Sequence, residues 1–336
     1  MHGQFVWYEL TTPDVDAAKT FYPRFTGWGT LRFDNDYTMW TTGGVPVAGI
    51  FRLTEEMRRQ GVPPNWMPYV ESDNLDETAK KAAALGGKVI VAPQDIPGTG
   101  RFAVLQDPQG ATFGVYKAST GSGGWDGTAV VGHFSWHELM TTDYVKAFEF
   151  YRALFGWEKT SEMDMGGGNM YSMFGKGAPY GGMFNRTPDM AGMHPFWLVY
   201  INVKDVGKAV AIATKAGAMV QRPQMDIPGG SIAILGDPQG AGFALHHVTA
   251  QVLPAKPAAK TTAKSGATKA AKAAPKKGAS ASLRAKAKGT PKPARKVKAK
   301  VKAKARPKAR SSARKVVGRG SASKARRVGK AKARKK

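Results

Sequence analysis

The side chains best suited to binding chemistry form two tryptophan–glutamate pairs in two similar segments. Trp7 and Glu9 are separated by one residue, and so are Trp136 and Glu138. Both segments have the pattern of a β-strand, so the two members of each pair lie on the same face. An indole beside a carboxylate can line a cavity for a planar or cationic small molecule. For a single tryptophan, packing in a core is the alternative.

Composition and motifs restrict other catalytic chemistry. The 336-residue chain has no cysteine, which excludes disulfides, thiolate metal sites and cysteine nucleophiles. The glycine runs at 166–168 and 229–230 do not begin a helix after a strand, and no Gly-Lys-Ser/Thr follows them. We therefore expect turns at these runs, not phosphate loops. No nucleophile-elbow pattern surrounds Ser135.

The two pairs belong to an internal repeat. Residues 3–28 (GQFVWYELTTPDVDAAKTFYPRFTGW) match residues 132–157 (GHFSWHELMTTDYVKAFEFYRALFGW) at a constant offset of 129. Downstream, Asp-Pro-Gln-Gly-Ala recurs at 107–111 and 237–241. Each copy is therefore expected to be one structural unit.

Within each copy, the hydrophobic period changes from strand to helix and back. Residues 5–10 read as a strand, and Asp14 supplies a cap for the helix that follows. Pro23 interrupts this helix, which should kink or stop early. A second helix is predicted from about residue 74 to 85 in the first copy, and from about 206 to 216 in the second. We read the order in each copy as β-α-β-β-β.

This order, with a Phe-Tyr-x-x-x-x-Gly-Trp helix end and an Asp-Pro-x-Gly turn before the last strand, resembles the vicinal oxygen chelate (VOC) superfamily. That superfamily includes glyoxalase I, bleomycin-resistance proteins and extradiol dioxygenases. The resemblance implies an α+β fold of two tandem βαβββ modules, each with a curved sheet around a cavity. We place the modules at 1–118 and 132–249, with a linker at 119–131. The fold does not define the reaction, because the superfamily contains lyases, dioxygenases, epimerases and binding proteins.

The positions that bind metal in VOC relatives carry no suitable donor in this chain. The resemblance assigns the three ligand positions of the two modules to Trp7, Met67, Gly114, Trp136, Leu198 and Ala244. None of these side chains coordinates a hard divalent ion. We therefore predict no cofactor.

By analogy with the ligand-bearing faces of the relatives, six side chains are candidates to line the two cavities: Trp7, Glu9, Tyr116, Trp136, Glu138 and His246. A metal-free polar pocket is one interpretation. A displaced divalent-metal site at Glu138 and His246 is the enzyme alternative, and it implies a lyase, isomerase or dioxygenase. In a third, structural interpretation, Glu9 and Glu138 hydrogen-bond across the module junction, while His137 faces outward.

The C-terminal residues differ in kind from the rest of the chain. Residues 251–336 hold 31 of the 51 Lys and Arg and no Asp, Glu, Phe, Trp or Tyr, which leaves 20 basic and 24 acidic residues before them. Without large apolar side chains, this tail cannot offset the entropy of ordering itself, so we expect residues 250–336 to be disordered. Its composition resembles the C-terminal tails of linker histones.

We predict that the tail binds nucleic acid. Lys and Arg at every second or third residue can follow a phosphate backbone, and the absence of aromatic residues removes base stacking. Non-specific binding of duplex DNA is the first expectation, structured RNA the second, and a solvated solubility tail the alternative. The candidate contact residues are Lys292, Arg295, Lys296, Lys298, Lys300, Lys302, Lys304, Arg306, Lys308 and Arg310.

Together these features predict a cytoplasmic, nucleoid-associated protein that binds a small molecule in a metal-free cavity and is tethered to DNA. The N-terminus has no signal-peptide pattern, and no apolar run reaches the roughly 18 residues of a membrane span. In the remaining alternative, the protein is an architectural nucleoid protein whose two modules act only as a folded domain or as a homodimerisation unit.

Overall fold

The computed structural model describes residues 2–33, 37–120 and 130–248. These residues belong to one unit and form two eight-stranded sheets, one from each repeat. The predicted tail with its ten candidate contacts, and most of the predicted linker at 119–131, lie outside the described residues. No helix in the described ranges is long and apolar enough to cross a membrane.

The first module alternates strands with short helices. Its strands are β1 (Phe5–Thr12), β2 (Gly29–Arg32), β3 (Thr38–Thr42), β4 (Val45–Arg52), β5 (Asn65–Glu71), β6 (Lys88–Ile96), β7 (Gly100–Gln106) and β8 (Thr112–Ala118). Its helices are α1 (Val15–Phe21), α2 (Pro23–Thr26), α3 (Glu55–Arg59) and α4 (Leu75–Ala84).

The second module repeats this order. Its strands are β9 (Phe134–Thr141), β10 (Glu158–Asp164), β11 (Met170–Lys176), β12 (Ala178–Asn185), β13 (Phe196–Asn202), β14 (Met219–Ile227), β15 (Gly230–Gly236) and β16 (Gly242–Val248). Its helices are α5 (Tyr144–Phe155) and α6 (Val206–Lys215), with a 3-10 turn at Pro188–Met190.

The predicted pair of tandem modules is present, but each module contains the βαβββ order twice. The runs begin at β1 and β5 in the first module, and at β9 and β13 in the second. The prediction of one βαβββ run per module is therefore wrong, because each module contains two such runs. Pro68 lies inside β5 and weakens the strand pattern there, which conceals the start of the second run.

Local sequence explains where the main helices begin and end. The caps of α1, α4, α5 and α6 each accept a hydrogen bond from a backbone N–H three residues on; they are Asp14, Asn74, Asp143 and Asp205. The first helix stops at Phe21 and resumes as α2 at Pro23, as predicted, because proline at a first helical position needs no N–H partner. In the second module Arg152 takes the place of the proline, and α5 runs unbroken for 12 residues.

Both sheets have the same topology. The strand order is β2-β3-β4-β1-β5-β8-β7-β6 in one and β10-β11-β12-β9-β13-β16-β15-β14 in the other. Successive side chains of a strand point to opposite faces, so Tyr8 and Leu10 enter the core while Trp7 and Glu9 lie on the other face. We call the face of Trp7 and Glu9 the first open face, and the equivalent face of β9–β16 the second open face.

The core faces of the two modules pack against each other in one hydrophobic cluster. The rings of Phe5 and His137 stack with centroids 3.6 Å apart, and those of Tyr8 and Phe134 stack at 3.7 Å. Tyr8 Oη lies 2.6 Å from His137 Nε2, and these two residues occupy equivalent positions of the repeat. A pseudo-two-fold axis therefore passes between them.

The prediction that His137 faces outward is wrong. Its side chain is fully buried, because strand alternation turns it away from Trp136 and Glu138 toward the module junction. The sequence pattern assigned His137 to the opposite face correctly, but that face packs against the other module and not against solvent.

The two Asp-Pro-Gln-Gly turns are held by the opposite modules. Asp107 Oδ1 accepts the backbone N–H groups of residues 109, 110 and 111, and its Oδ2 accepts the Tyr151 hydroxyl at 3.0 Å. In the reciprocal contact, the Tyr22 hydroxyl donates to Asp237 Oδ2 at 2.9 Å. Each module thus anchors the closing turn of the other, and the two modules form one compact unit.

Candidate functional site

Strand register places the carboxylates of Glu9 and Glu138 at equivalent points of the two open faces. Residues paired directly across neighbouring strands share a face. The first carboxylate row consists of Met39, Gly49, Glu9 and Met67. The second carboxylate row consists of Met173, Gly182, Glu138 and Leu198.

A second row, beside the first, begins at the tryptophan on each open face. The first aromatic row consists of Trp7, Tyr69, Gly114, Val104 and Val91. The second aromatic row consists of Trp136, Tyr200, Ala244, Ile234 and Arg222. The two open faces therefore share the same framework, with a difference in chemistry at the far end of the aromatic row.

In the first module, hydrogen bonds join Trp7 and Glu9 through tyrosines. The Trp7 indole N–H donates to the Tyr37 hydroxyl at 3.0 Å, and the Tyr69 hydroxyl donates to Glu9 Oε2 at 2.9 Å. Tyr37 in turn hydrogen-bonds to the Glu9 carboxylate. We call these four residues the first carboxylate cluster.

The second module repeats this arrangement. The Trp136 indole N–H donates to the Tyr171 hydroxyl at 2.8 Å, and that hydroxyl donates to Glu138 Oε2 at 3.1 Å. Tyr200 donates a further hydrogen bond to the carboxylate. We call these four residues the second carboxylate cluster. Each carboxylate is thus held by two phenols, one of them tethered by an indole.

Glycines make the close approach of the tyrosines possible. A Cβ at Gly49 would overlap the Tyr37 hydroxyl, and a Cβ at Gly182 would overlap the Tyr171 ring. A Cβ at Gly114 would likewise overlap the ring of Tyr69. Tyrosine rings therefore occupy the space that larger side chains would take on the neighbouring strands.

Burial shifts the titration of both clusters. It raises the pKa of Glu9 and of Glu138, although the tyrosine hydrogen bonds act in the opposite direction. Burial also raises the pKa of Tyr69 and Tyr200 well above the ordinary phenol value, and the neighbouring carboxylate adds to the shift. The phenols therefore stay protonated at neutral pH and act as hydrogen-bond donors.

Tyr116 and His246 lie on the open faces, but their polar atoms are engaged elsewhere. The Tyr116 hydroxyl donates to the Thr99 carbonyl oxygen at 3.1 Å. His246 Nδ1 lies 2.9 Å from Ser135 Oγ, and burial lowers the pKa of this histidine to about 4. The imidazole is therefore neutral at pH 7. Both residues border the clusters and remain predicted lining residues.

The residues of the open faces do not fit a divalent metal ion. The described ranges contain no group of three or more His, Cys, Asp or Glu side chains that could hold one. At the displaced site, Glu138 is bound by tyrosines and His246 by Ser135. At the positions that the resemblance assigns to metal ligands, no side chain offers a suitable donor, and the Tyr69 ring covers Gly114.

Two surface depressions lie away from both clusters. One of about 330 Å³ is lined by residues of α2 and α6, and another of about 190 Å³ lies beside α5. The open faces are instead packed by their own side chains. Trp7, Glu9, Trp136 and Glu138 are half-buried, so each keeps part of its surface in contact with solvent.

The tyrosines are the part of each cluster that sequence reasoning missed. Tyr37 and Tyr171 stand at matching places in the repeat, and that match was the available signal. Tyr69 and Tyr200 stand two residues after Met67 and Leu198, so alternation puts them on the open faces. The interpretation in which Glu9 and Glu138 hydrogen-bond across the junction is wrong, because each is bonded within its own sheet.

A family model described as the glyoxalase/bleomycin resistance protein/dioxygenase superfamily matches this chain twice. The matched residues are 4–115 and 131–245, one match for each module.

Curated relatives align with both modules. "Putative glyoxylase CFP32" of Mycobacterium tuberculosis (strain CDC 1551 / Oshkosh) is 35% identical over 251 residues, covering 71% of this chain and 92% of the relative. "Anthracycline biosynthesis protein DauV" of Streptomyces sp. (strain C5) is 31% identical over 259 residues, covering 72% and 92%.

Solved structures share the fold at much lower identity. The Mn(II)-bound glyoxalase from Novosphingobium aromaticivorans has a TM-score of 0.53 and 15% identity, covering 73% of this chain and 82% of that one. The 2,3-dioxygenase LapB from Pseudomonas sp. KL28 has a TM-score of 0.53 and 11% identity, covering 74% and 94%. Because the family model matches both modules and a relative 35% identical aligns with 71% of the chain, the chain belongs to the glyoxalase/bleomycin resistance protein/dioxygenase superfamily.

Proposed function

We propose that the protein binds a planar aromatic small molecule on its open faces, without a metal ion. In this proposal Trp7 and Trp136 stack on the ligand, while Glu9 and Glu138 accept a hydrogen bond from it or pair with a positive group. The observation that carries the proposal is the duplicated cluster, in which a half-buried carboxylate accepts hydrogen bonds from tyrosines and lies on the same face as an indole.

The chemistry of the clusters supports this choice of ligand. A half-buried carboxylate is costly unless hydrogen-bond donors or a cation satisfy it. Two phenols leave part of its acceptor capacity free, so a ligand hydroxyl, amine or N–H group can complete the set. The indole beside it favours a flat ring over an aliphatic chain.

The names of the relatives support the same ligand class and one alternative. DauV is named for the biosynthesis of an anthracycline, which is a polycyclic aromatic compound. The name "Putative glyoxylase CFP32" favours the enzyme alternative with a lyase, isomerase or dioxygenase reaction.

Calorimetric titration of the full chain with methyl 6-hydroxy-2-naphthoate, before and after treatment with a chelator, tests the proposal. This neutral probe offers two fused rings and one phenol donor. We expect equal affinity in both preparations, weaker binding by Glu138→Gln, and no stoichiometric Fe, Mn, Zn or Ni by elemental analysis. Binding that disappears with the chelator and returns with a metal would instead support the enzyme alternative.

We further propose that the tail tethers the protein to duplex DNA and so places it at the nucleoid of the cytoplasm. The supporting observation is the segregation of charge, with 31 basic and no acidic residues in 251–336. About 8 simultaneous phosphate contacts would give a salt slope near −7.

A salt series that compares the DNA affinity of the full chain with that of residues 1–250 tests the tail. We expect strong, salt-dependent binding by the full chain and little by the shortened one. Equal affinities, or a flat salt dependence, would rule the tethering out. If the protein compacts DNA, and if substitutions on the open faces such as Glu138→Gln do not change this compaction, the architectural alternative is favoured.

A further inference from the structure

We propose that the second open face takes an aromatic ligand with an acidic group, and that Arg222 is the specificity-determining residue that binds this group. The inference rests on the proposed function and deepens it. It predicts that the two modules, although built alike, do not bind the same ligand equally.

The aromatic rows place Arg222 relative to the second carboxylate cluster. Trp136, Tyr200 and Ala244 follow one another across three strands, and Ile234 and Arg222 continue the row on β15 and β14. The equivalent row in the first module ends in Val91. The same backbone position thus presents a guanidinium in one module and an isopropyl group in the other.

Arg222 is available to a ligand. Its side chain is exposed, and no carboxylate of the described ranges lies within ion-pair distance of it, although nine ion pairs are present there. Its positive charge nevertheless acts on Glu138, Tyr200 and Asp189. Its pairing with Ile234 places Arg222 at the end of the second aromatic row.

The apolar lining of the second open face suits an aromatic body. Two apolar clusters separate from the shared core lie there: one holds Tyr171 and Phe184, and the other Leu198 and Tyr200. Trp136 and Phe196 contact both. No separate cluster of this kind is found on the first open face within the described residues.

The chemistry at the two ends of the face sets the ligand class. At one end, Glu138 with its tyrosines accepts a hydrogen bond, as a phenol can supply. At the other end, the planar guanidinium of Arg222 matches a carboxylate with two parallel N–H···O bonds. Between them lie indole, phenol and aliphatic side chains. A hydroxylated aromatic carboxylic acid fits this order of groups.

Calorimetry on the full chain with a matched pair of probes, 6-hydroxy-2-naphthoate and its methyl ester, tests the inference. The two differ only in the acidic group. The variants are Arg222→Val, which copies the first module, Arg222→Lys, which keeps the charge, and Val91→Arg, which adds the guanidinium to the first module. The basic tail is the same in the wild type and in all variants. Its attraction for the acid therefore cancels when the acid-to-ester affinity ratio of a variant is divided by that of the wild type.

We expect the wild type to prefer the acid, and Arg222→Val to weaken binding of the acid about tenfold while leaving the ester unchanged. Arg222→Lys should keep part of the preference, and Val91→Arg should not reduce it. Equal loss for acid and ester, or no loss for either, would overturn the role of Arg222 while the proposed function stands. Failure of both probes to bind the wild type would overturn the proposed function as well.

Discussion

The two open faces of the protein have the same carboxylate cluster and different surroundings. Glu9 and Glu138 each accept two phenols, and each cluster includes an indole N–H bonded to one of those phenols. Only the second face combines this cluster with extra apolar clusters and an exposed arginine on its aromatic row, within the described ranges. The repeat thus preserves a polar framework while the periphery differs. In the proposed function, the shared framework binds the ligand and the differing periphery selects it.

The largest expected difference between the two modules lies at their junction. The equivalent residues Tyr8 and His137 contact each other there, and only the second module has a histidine at this position. Burial lowers the pKa of His137 to about 3, so this histidine becomes protonated at a lower pH in the native state than in the unfolded chain. Its contribution to stability is complete above pH 6.5 and is lost as the pH falls toward 3, on the order of 5 kcal/mol.

Urea unfolding at a series of pH values measures this effect. In His137→Gln that part of the acid dependence should be missing, while the variant is less stable at pH 7. Identical pH profiles for the wild type and the variant would show that the histidine does not control acid stability.

The reciprocal contacts of the two Asp-Pro-Gln-Gly turns provide the next test, because they should contribute equally to the free energy of unfolding. Asp107→Ala and Asp237→Ala each remove the acceptor of a buried tyrosine hydroxyl and of backbone N–H groups. Each should lower the free energy of unfolding by about 3 kcal/mol. Thermal unfolding would measure this, with the exposed Asp226→Ala as the control. A loss in only one variant would show that the junction is asymmetric.

The glycines beneath the tyrosines test whether both clusters need the same close packing. Gly182→Ala should displace the Tyr171 ring and cost about 2 kcal/mol, and Gly49→Ala should do the same to Tyr37. Gly192→Ala is a matched control, because nothing lies within 4 Å of its added Cβ. Chemical denaturation measures the three. If Gly182→Ala and Gly192→Ala behave alike, the tyrosine is not confined as described.

The carboxylates themselves sharpen the comparison of the two faces. Replacing the acceptor with an amide should weaken binding of methyl 6-hydroxy-2-naphthoate about tenfold in Glu138→Gln, or about 1.4 kcal/mol. Glu9→Gln should have a smaller effect, because its face lacks the additional apolar lining. Calorimetry on both variants measures the difference. A larger effect of Glu9→Gln would assign the main site to the first module.

Much of the framework could be predicted from local patterns. Strand alternation grouped Trp7 with Glu9 and Trp136 with Glu138, and the repeat predicted two modules of one architecture. The break before Pro23 followed from the chemistry of proline. By contrast, the partners of the carboxylates lie on other strands: Tyr69 is 60 residues from Glu9, and Tyr171 is 33 residues from Glu138. Alternation along one strand carries no information about such distances.

Sequence alone determined the duplicated architecture and the charge segregation of the chain, because each is a property of residue types and their spacing. Only the tertiary structure decided that His137 is buried, that tyrosines cover the glycines beside each carboxylate, and that Arg222 shares a row with Trp136. These features depend on which strands become neighbours and in which register. That pairing is set by the packing of two whole modules against each other, which no local pattern specifies.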